Sequence, residues 1–567
     1  MQETTATPPQ QASPWILNPA SDLGLFIATP LLILPLTLAL LEGLESTEIQ
    51  YLILAFGAMG HNLPGMLRAY GDRELFRRFR MRFILAPIVL GGLVLAFAWQ
   101  QFSGVQANGI VVIALLWSIW HALMQVYGFS RIYDAKVGAV QRLHARMDFA
   151  MCLGWFAGAL VFSDSRLHYI QSLFSGYGVP PMEATSIETL RVAVITGLIA
   201  LTAAFAWIQV RDARASKRPA SRKNLLLVSA ISFWWYANVA IDDVLLGLVM
   251  FELFHDVQYL AIVWIFNRRR AETNEGAGSF TRFVFRRSWA MMGLYLGMVL
   301  AYGGFLPATR SVESPVSAGM VATFVTTSAL LHYYFDGFIW KIREGSVRGG
   351  LGLAGGKMDS LVSWHGAKWL FLLVPAGLML SLDTAGPMSV ERAQALVKST
   401  PNVDRGHLDL GAALEAEKRF AEAVDQLERS VALDPKQEHR EYIDSYLPRA
   451  RVLAAKEELR NSNTRRAEQL LKMAAEKIPD LASACNNDGI ALRAKGQLVL
   501  AVVSFRCALL LNPEMAQAHL NLGLTYRSLG QVELALRHAR RGAELLPADQ
   551  RAKALAAELE QALKKNF

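Results

Sequence analysis

Charged side chains are scarce in this chain, and its first residues lack the basic region of a signal peptide. Of its 567 residues 19% are charged and 53% are hydrophobic, and the mean hydropathy is +0.26. That balance excludes an ordinary soluble protein of this size. The first 21 residues contain no Lys or Arg, so the basic region of a cleavable signal peptide is missing. The first apolar run is therefore predicted to remain as a membrane helix.

Apolar runs fill the chain up to about residue 385, and the sequence beyond is charged, alanine-rich and amphipathic. The runs have roughly the 17 to 25 residues with which a helix crosses a bilayer. We therefore predict an all-α protein with an N-terminal segment at 1–21, a transmembrane helix bundle at 22–385, a linker at 386–403 and a soluble region at 404–567. About eleven spans are predicted, at 22–42, 47–67, 83–102, 108–130, 147–163, 190–210, 224–241, 244–267, 288–306, 316–340 and 361–381.

Basic residues alternate sharply between the two sets of loops that connect these spans. One set carries 26 Lys and Arg, whereas the other carries only Arg166 and Arg310. By the positive-inside rule the basic loops and the N-terminus are cytoplasmic, and an odd number of spans places the C-terminal region outside. In a bacterial inner membrane that side is the periplasm. If the last span failed to cross, the region would be cytoplasmic. Charge confined to such loops is typical of topology signals, so no nucleic-acid partner is predicted.

Small residues and prolines recur in the C-terminal region at a spacing of 34 residues. The recurring residues are Gly489, Gly496, Ala501, Phe505, Ala508 and Pro513, then Gly523, Gly530, Ala535 and Pro547, with Pro479 one period earlier. The region resembles tetratricopeptide repeats (TPR). The resemblance implies an α-solenoid of about four helix pairs with a capping helix at 550–565. Its concave surface would bind a protein or peptide partner. A purely structural lid or dimerisation device is the alternative.

Two of the chain's three cysteines, Cys485 and Cys507, fall on the two helices of one repeat unit. Antiparallel packing would bring them near each other. In an oxidising compartment they could form a disulfide. Two buried free thiols are equally compatible with the sequence.

Four histidines lie inside predicted spans that run from the outside inwards: His61, His121, His255 and His332. Each precedes the basic cytoplasmic end of its span by 7 to 13 residues, which corresponds to a depth of about 10 to 20 Å. His365 enters from the cytoplasmic side and could reach the same layer. Ionisable groups in hydrocarbon are costly and usually functional, and imidazole is the commonest ligand of transition metals. The sequence therefore predicts a metal site, whereas one such histidine alone would indicate a hydrogen bond between helices. The six other histidines are expected to face solvent.

Carboxylates accompany two of these histidines at helical spacing. Glu252 precedes His255 by three residues, the spacing by which a helix offers two ligands to a di-iron centre, and Asp256 follows it directly. Asp336 lies one turn after His332 and could bind metal or orient the ring. We predict Glu252, Asp256 and Asp336 as catalytic groups, with Glu252 and Asp336 also as candidate ligands.

Mixed histidine and carboxylate ligands suit iron, manganese or zinc, and no cysteine lies near enough for a copper–thiolate site. Haem held by paired histidines is possible, but it would not explain the carboxylates, so non-haem iron is preferred. The arrangement loosely resembles multi-histidine membrane oxygenases, desaturases and carotenoid-cleaving enzymes. The desaturase clusters His-x-x-x-His and His-x-x-His-His are absent.

Three functions are compatible with these patterns. The leading hypothesis is a membrane metalloenzyme, an iron oxygenase or hydroxylase that acts on a lipid-soluble substrate. The second is a transferase that uses a lipid-linked donor, with Asp242 and Asp243 holding a divalent cation at the external end of a span. The third is a transporter or assembly scaffold, in which the polar layer is an ion path.

Overall fold

The computed structural model describes residues 13–44, 46–53, 55, 59–102, 109–137, 141–216, 222–273, 278–304, 315–340, 365–382, 386–434 and 440–565. The chain divides into two compact units, residues 1–387 and 388–567. All regular secondary structure in the described residues is helical, which confirms the predicted all-α class.

The first unit is built from helices of very different lengths. In chain order they are α1 Pro19–Asp22, α2 Pro30–Leu41, α3 Ser46–Ile53, α4 Asn62–Gly71, α5 Arg73–Arg78, α6 Arg80–Phe102, α7 Gly109–Lys136, α8 Arg142–Phe162, α9 Asp164–Ser175, α10 Ala184–Ser216, α11 Lys223–Trp235, α12 Val244–Thr273, α13 Ser279–Val284, α14 Trp289–Gly303, α15 Pro315–Ile339 and α16 His365–Ser381. Turns of π-helix at Leu23–Ile27 and Tyr236–Ala240 continue α1 and α11.

Five helices in the described residues are long and apolar enough to cross a membrane: α6, α7, α8, α10 and α12. A sixth span is possible if α1 with its π-turn and α2, which meet at a bend of 51°, count as one. The predicted number of eleven spans is therefore not supported. The sequence predicts more spans than the structure has long apolar helices, because hydropathy does not show where the backbone breaks a helix.

Several predicted spans are interrupted, short or too polar. The stretch 47–67 is divided between α3 and α4, and 224–241 changes from α- to π-helix at Tyr236. Helix α14 has 15 residues, and α16 has 17 with a proline inside. Helix α15 is long, but it contains Thr, Ser, His332 and Asp336 among its apolar residues. Pro64 lies in the first turn of α4, where its missing amide hydrogen costs no helical hydrogen bond.

Helix α12 is the central element of the first unit. Of its most apolar window 67% is buried, whereas the corresponding figure for α10 is 11%. A helix that is apolar all round is stable at the surface of a bundle only where it faces lipid or another apolar partner. The large apolar side chains exposed on α10 include Val192, Ile199 and Trp207. The outer face of this unit is thus chemically suited to a bilayer, and α12 is its core.

The second unit consists of antiparallel helix pairs. Its helices are α17 Val390–Ser399, α18 Asp404–Ala416, α19 Phe420–Leu433, α20 Arg440–Arg460, α21 Thr464–Ala475, α22 Leu481–Ala494, α23 Leu498–Leu511, α24 Ala516–Ser528, α25 Val532–Leu545 and α26 Gln550–Lys565. Helix α20 has 21 residues, whereas its neighbours α18, α19 and α21 have 12 to 14. Helix α17 forms within the stretch predicted as a linker, where Val390 and Ala393 join the same apolar cluster as Leu410.

Close approach of paired helices depends on small residues at the predicted positions. A Cβ at Gly489 would lie 2.6 Å from a ring carbon of Phe505, and one at Gly411 would lie 2.8 Å from Leu427. Gly496 and Gly530, at the turns between paired helices, both have φ of +73°, which glycine adopts without strain. Together with the 34-residue period, this packing shows a solenoid of the TPR type.

Candidate metal centre

Four histidines, three on helices and one in the turn before a fourth helix, meet at one point inside the first unit. His121 comes from α7, His255 from α12 and His332 from α15, while His61 is the residue immediately before α4. All four are buried, and each offers a nitrogen that lies within 4.8 Å of the nitrogens offered by the others. The structure therefore brings together side chains separated by as many as 271 positions in the sequence.

His332 lies at the middle of this group. Its Nε2 is 3.0 Å from Nε2 of His61 and 3.1 Å from Nε2 of His121. A ring nitrogen carries at most one proton, so Nε2 of His332 cannot donate a hydrogen bond to both neighbours. Two nitrogens that each lie about 2.1 Å from one cation, at right angles, are about 3.0 Å apart. The spacing thus fits a shared cation better than hydrogen bonds between neutral rings.

A carboxylate lies directly behind His61, on the side away from His332. Its Nδ1 lies 2.8 Å from Oδ1 of Asp256, and both side chains are buried. Donation of the Nδ1 proton to Asp256 leaves the lone pair of His61 on Nε2, the atom that faces His332. Metal-binding histidines commonly have such a carboxylate partner, which orients the ring and makes its nitrogen a stronger donor to the metal.

His255 completes the group from α12. Its ring centroid is 5.3 Å from that of His61 and 4.9 Å from that of His121. Both of its buried ring nitrogens have no hydrogen-bond partner among the described residues, an arrangement that is costly unless another ligand is bound. Gln125 holds the backbone at this point by donating to the carbonyl oxygen of His255 at 2.9 Å.

The acidic side chains border the histidines on two sides. Glu252 and Asp256 join His61 and His255 in a second, overlapping group of potential ligands. Asp336 lies on the other side, with Oδ2 3.8 Å from Nε2 of His332. Every side chain of both groups is buried, as expected for carboxylates in an apolar bundle.

Two functional residues were missed by the sequence patterns. Tyr259 donates from its hydroxyl to Oδ1 of Asp336 at 3.0 Å and thereby fixes that carboxylate. Gly65 makes room for these groups, because a Cβ there would lie 2.9 Å from the Tyr259 hydroxyl and 3.3 Å from Nδ1 of His332. The spacing 252, 255, 256, 259 places Tyr259 on the same helix face as Glu252 and His255, a signal that could have identified it.

Other predicted site residues have different positions. His365 is the first residue of α16, and its side chain lies outside the described residues. Asp243 caps α12 by accepting from the amides of Leu245 and Leu246. This hydrogen bonding explains an aspartate at that position without a bound cation. Three histidines that were expected to face solvent are instead buried: His144, His168 and His407.

The spacing of these rings is shorter than haem ligation by paired histidines requires. An iron with two axial imidazoles holds their nitrogens about 4 Å apart, because each bond is about 2 Å long. The pairs formed by His332 with His61 and with His121 are about an ångström closer. The centre is suited to a single small cation.

In the second unit Cys485 and Cys507 are buried free thiols that hydrogen bond with each other. The hydrogen bond with Cys485 and burial raise the pKa of the Cys507 thiol. The helix packing thus brings the two cysteines together, as the repeat positions predict.

Neither the known protein families nor the curated proteins give a match to this sequence. Solved structures similar to part of the chain include YrrB, a TPR protein with an unusual peptide-binding site, which is 16% identical over 33% of this chain and 87% of its own, with a TM-score of 0.16. MamA is 18% identical over 28% of this chain and 80% of its own, with a TM-score of 0.16. A thermophilic TPR protein of Thermus thermophilus is 18% identical over 35% and 94%, with a TM-score of 0.14. At such TM-scores these similarities carry no argument, and the TPR-type fold rests on the helix pairs themselves.

Proposed function

We propose that the chain is an integral membrane metalloprotein, and that its metal centre is a non-haem iron site of an oxygenase or hydroxylase acting on a lipid-soluble substrate. The observation that carries the proposal is the convergence of three imidazole Nε2 atoms at 3.0 and 3.1 Å, with His255 beside them. Imidazole with nearby carboxylate is a donor set that suits iron, manganese and zinc.

The acidic residues support a catalytic role for the metal more than a structural one. A structural zinc site is closed by its four ligands, whereas a catalytic site keeps groups nearby that position substrate or move protons. Glu252, Asp256 and Asp336 surround the histidines. In this proposal Asp256 orients His61, and the hydrogen-bonded pair of Asp336 and Tyr259 holds a proton beside His332. A bound iron would supply the activation of O2.

Burial supports a lipid-soluble substrate. The histidines and carboxylates are enclosed in a unit whose outer helices expose large apolar side chains. A substrate that dissolves in the bilayer could approach from the side, and exclusion of water protects reactive intermediates.

Metal analysis of the purified full-length protein tests the proposal directly. After purification in detergent without added metal, we expect about one iron per chain by inductively coupled plasma mass spectrometry, which quantifies manganese, zinc and copper in the same sample. Stoichiometric zinc without iron would contradict the oxidoreductase and leave a hydrolytic or structural site. A protein without any bound metal, including after incubation with ferrous iron under anaerobic conditions, would overturn the metal centre itself.

We further propose that the protein lies in a bacterial inner membrane, with its N-terminus in the cytoplasm and its TPR domain in the periplasm, where it binds a protein or peptide partner. The asymmetry of Lys and Arg among the loops supports this orientation. Protease added to intact spheroplasts should digest the TPR domain, whereas a cytoplasmic domain would be digested only after lysis.

A further inference from the structure

Two short helices of the first unit border a surface pocket that the metal centre does not use. Helices α5 and α13 border an open pocket of about 590 Å³. The lining residues are Arg73, Glu74, Arg77, Arg78, Gly278, Ser279 and Arg282. Although α5 and α13 are far apart in sequence, both belong to basic loops that the charge pattern assigns to the cytoplasmic side.

The pocket has a strong excess of positive charge. Four of its lining residues are arginines and Glu74 is the one acidic residue among them. Guanidinium groups form forked hydrogen bonds to phosphate, which suits a pocket with several arginines in its lining. The chemistry of the lining therefore favours a phosphate-bearing ligand.

Buried contacts below the pocket keep its two walls in place. Asp72 caps α5 by accepting from the amides of Glu74 and Leu75, and it also forms a buried ion pair with Arg270 of α12. Gly278, just before α13, lies so close to Gly71 that a Cβ would be 3.0 Å from the Gly71 carbonyl oxygen. The backbone that carries the arginines is thus held in place by contacts at the start of both helices.

The two helices next to the pocket in the chain, α6 and α13, expose apolar side chains. Phe280 and Phe283 of α13 are 52% and 45% exposed, and Met81 and Ile88 of the adjoining helix α6 are 64% and 66% exposed. A soluble phosphate compound would leave these apolar side chains exposed to water, whereas the acyl chains of a lipid would cover them. Aromatic and basic side chains together are typical of the membrane interface.

We propose that this pocket binds the headgroup phosphate of an anionic phospholipid, whose acyl chains lie along α6 and α13. The proposal rests on the membrane location proposed above, but not on the identity of the metal. Bound lipid would hold the cytoplasmic end of α12, the helix that carries His255, at a fixed depth.

Lipid titration of the full-length protein by native mass spectrometry tests this site. Delipidated protein in detergent is titrated with phosphatidylglycerol, phosphatidylcholine, glycerol 3-phosphate and inorganic phosphate. The triple variant Arg73→Gln, Arg77→Gln, Arg282→Gln should lose roughly a hundredfold in affinity for phosphatidylglycerol, because each basic residue at an anionic lipid surface contributes about a fivefold factor. The matched control Arg146→Gln, Arg211→Gln, Arg214→Gln removes three exposed arginines of the same unit outside the pocket, and it should lose less than about fivefold.

Three results would overturn the lipid site. They are unchanged phosphatidylglycerol affinity in the pocket variant, equal affinity for phosphatidylcholine, and binding of glycerol 3-phosphate as tightly as the intact lipid, which would identify a soluble ligand. Failure of the membrane assignment gives a different signature, because the wild-type protein would then be found in the soluble fraction of lysed cells.

Discussion

Glycine makes close contact possible in both units, but the contacts differ in kind. At Gly489 the space left by the missing side chain is filled by the ring of Phe505, so the glycine contributes to apolar packing. At Gly65 the space is filled by the hydroxyl of Tyr259, Nδ1 of His332 and Oδ1 of Asp336. Gly489 therefore serves apolar packing, whereas Gly65 makes room for polar groups that would be unfavourable without a ligand.

The two units also differ in how they bury polar atoms. In the second unit buried side chains mostly find partners within the repeat, such as His407, which contacts both Gln426 and the carbonyl oxygen of Pro401. In the first unit both nitrogens of His255 and Nδ1 of His332 are buried without a hydrogen-bond partner in the described residues. Buried polar atoms without partners are rare in native proteins and usually mark a bound ion, water or catalytic site.

The largest expected effect is on metal binding by His332→Ala. Removal of the central ring takes away the nitrogen that lies near both His61 and His121. We therefore expect the affinity for metal to fall by more than about a hundredfold. Loss of a residue that only supports a ligand usually lowers metal affinity by about 10- to 100-fold. Metal content of the purified variant measures this. The control His407→Ala removes a buried histidine of the second unit and should retain full metal content. Equal metal loss in both variants would show an effect on folding alone.

Asp256→Asn should weaken metal binding about 10- to 100-fold, because the amide no longer orients His61 as a carboxylate does. Competition with a chelator of known affinity measures the change. Asp148→Asn is the matched control, since Asp148 is a buried carboxylate paired with Lys223 away from the centre. That variant should be less stable but should release metal at the wild-type chelator concentration. If Asp256→Asn behaved in the same way, Asp256 would have only a structural role.

Alanine substitutions at Gly489 and Gly65 should have different effects, one on the stability of the second unit and the other on metal binding by the first. Gly489→Ala should destabilise the second unit by about 1–3 kcal/mol through overpacking and leave metal affinity unchanged. Gly65→Ala should reduce metal affinity, because the new methyl group displaces Tyr259 or His332. Thermal unfolding and chelator competition on both variants provide the comparison, with Gly197→Ala as a control at an open helical position. Loss of metal in Gly489→Ala would contradict the independence of the two sites.

The smallest expected effect is on how the stability of the second unit depends on pH. Burial and the nearby His519 lower the pKa of His538 to about 4. The unfolded chain takes up this proton near pH 6.5, whereas the folded chain does so only near pH 4, so stability falls as the pH decreases through that interval. His538→Gln should flatten this decline in urea unfolding between pH 7 and 4. The effect is small because the side chain is half-buried, and an unchanged slope would show that other groups cause the decline.

Much of the architecture could be predicted from the sequence because it is encoded locally. The 34-residue spacing of Pro479, Pro513 and Pro547 indicates the helix pairs, and the glycine positions indicate where they touch. The four histidines were identified because each interrupts an apolar run. Glu252 and Asp336 followed from helical spacing to their neighbours.

The remaining features depend on tertiary contacts or on backbone breaks. Hydropathy predicted a continuous span at 47–67, where the structure has two helices with His61 between them. No local signal shows that α4, α7, α12 and α15 are neighbours, so convergence could not be predicted. Tyr259 was overlooked because a tyrosine in an apolar helix is usually explained by packing, and its role follows only from its contact with Asp336.

The central position of His332 also determines when the centre can be assembled during synthesis. Helix α15 is among the last helices of the first unit to leave the ribosome, and its histidine contacts residues that were inserted much earlier. A nascent chain that ends before α15 has the other three histidines but lacks the one that joins them. In the proposed metalloprotein, metal acquisition would therefore be a late event in biogenesis, and it would report that the whole first unit has folded.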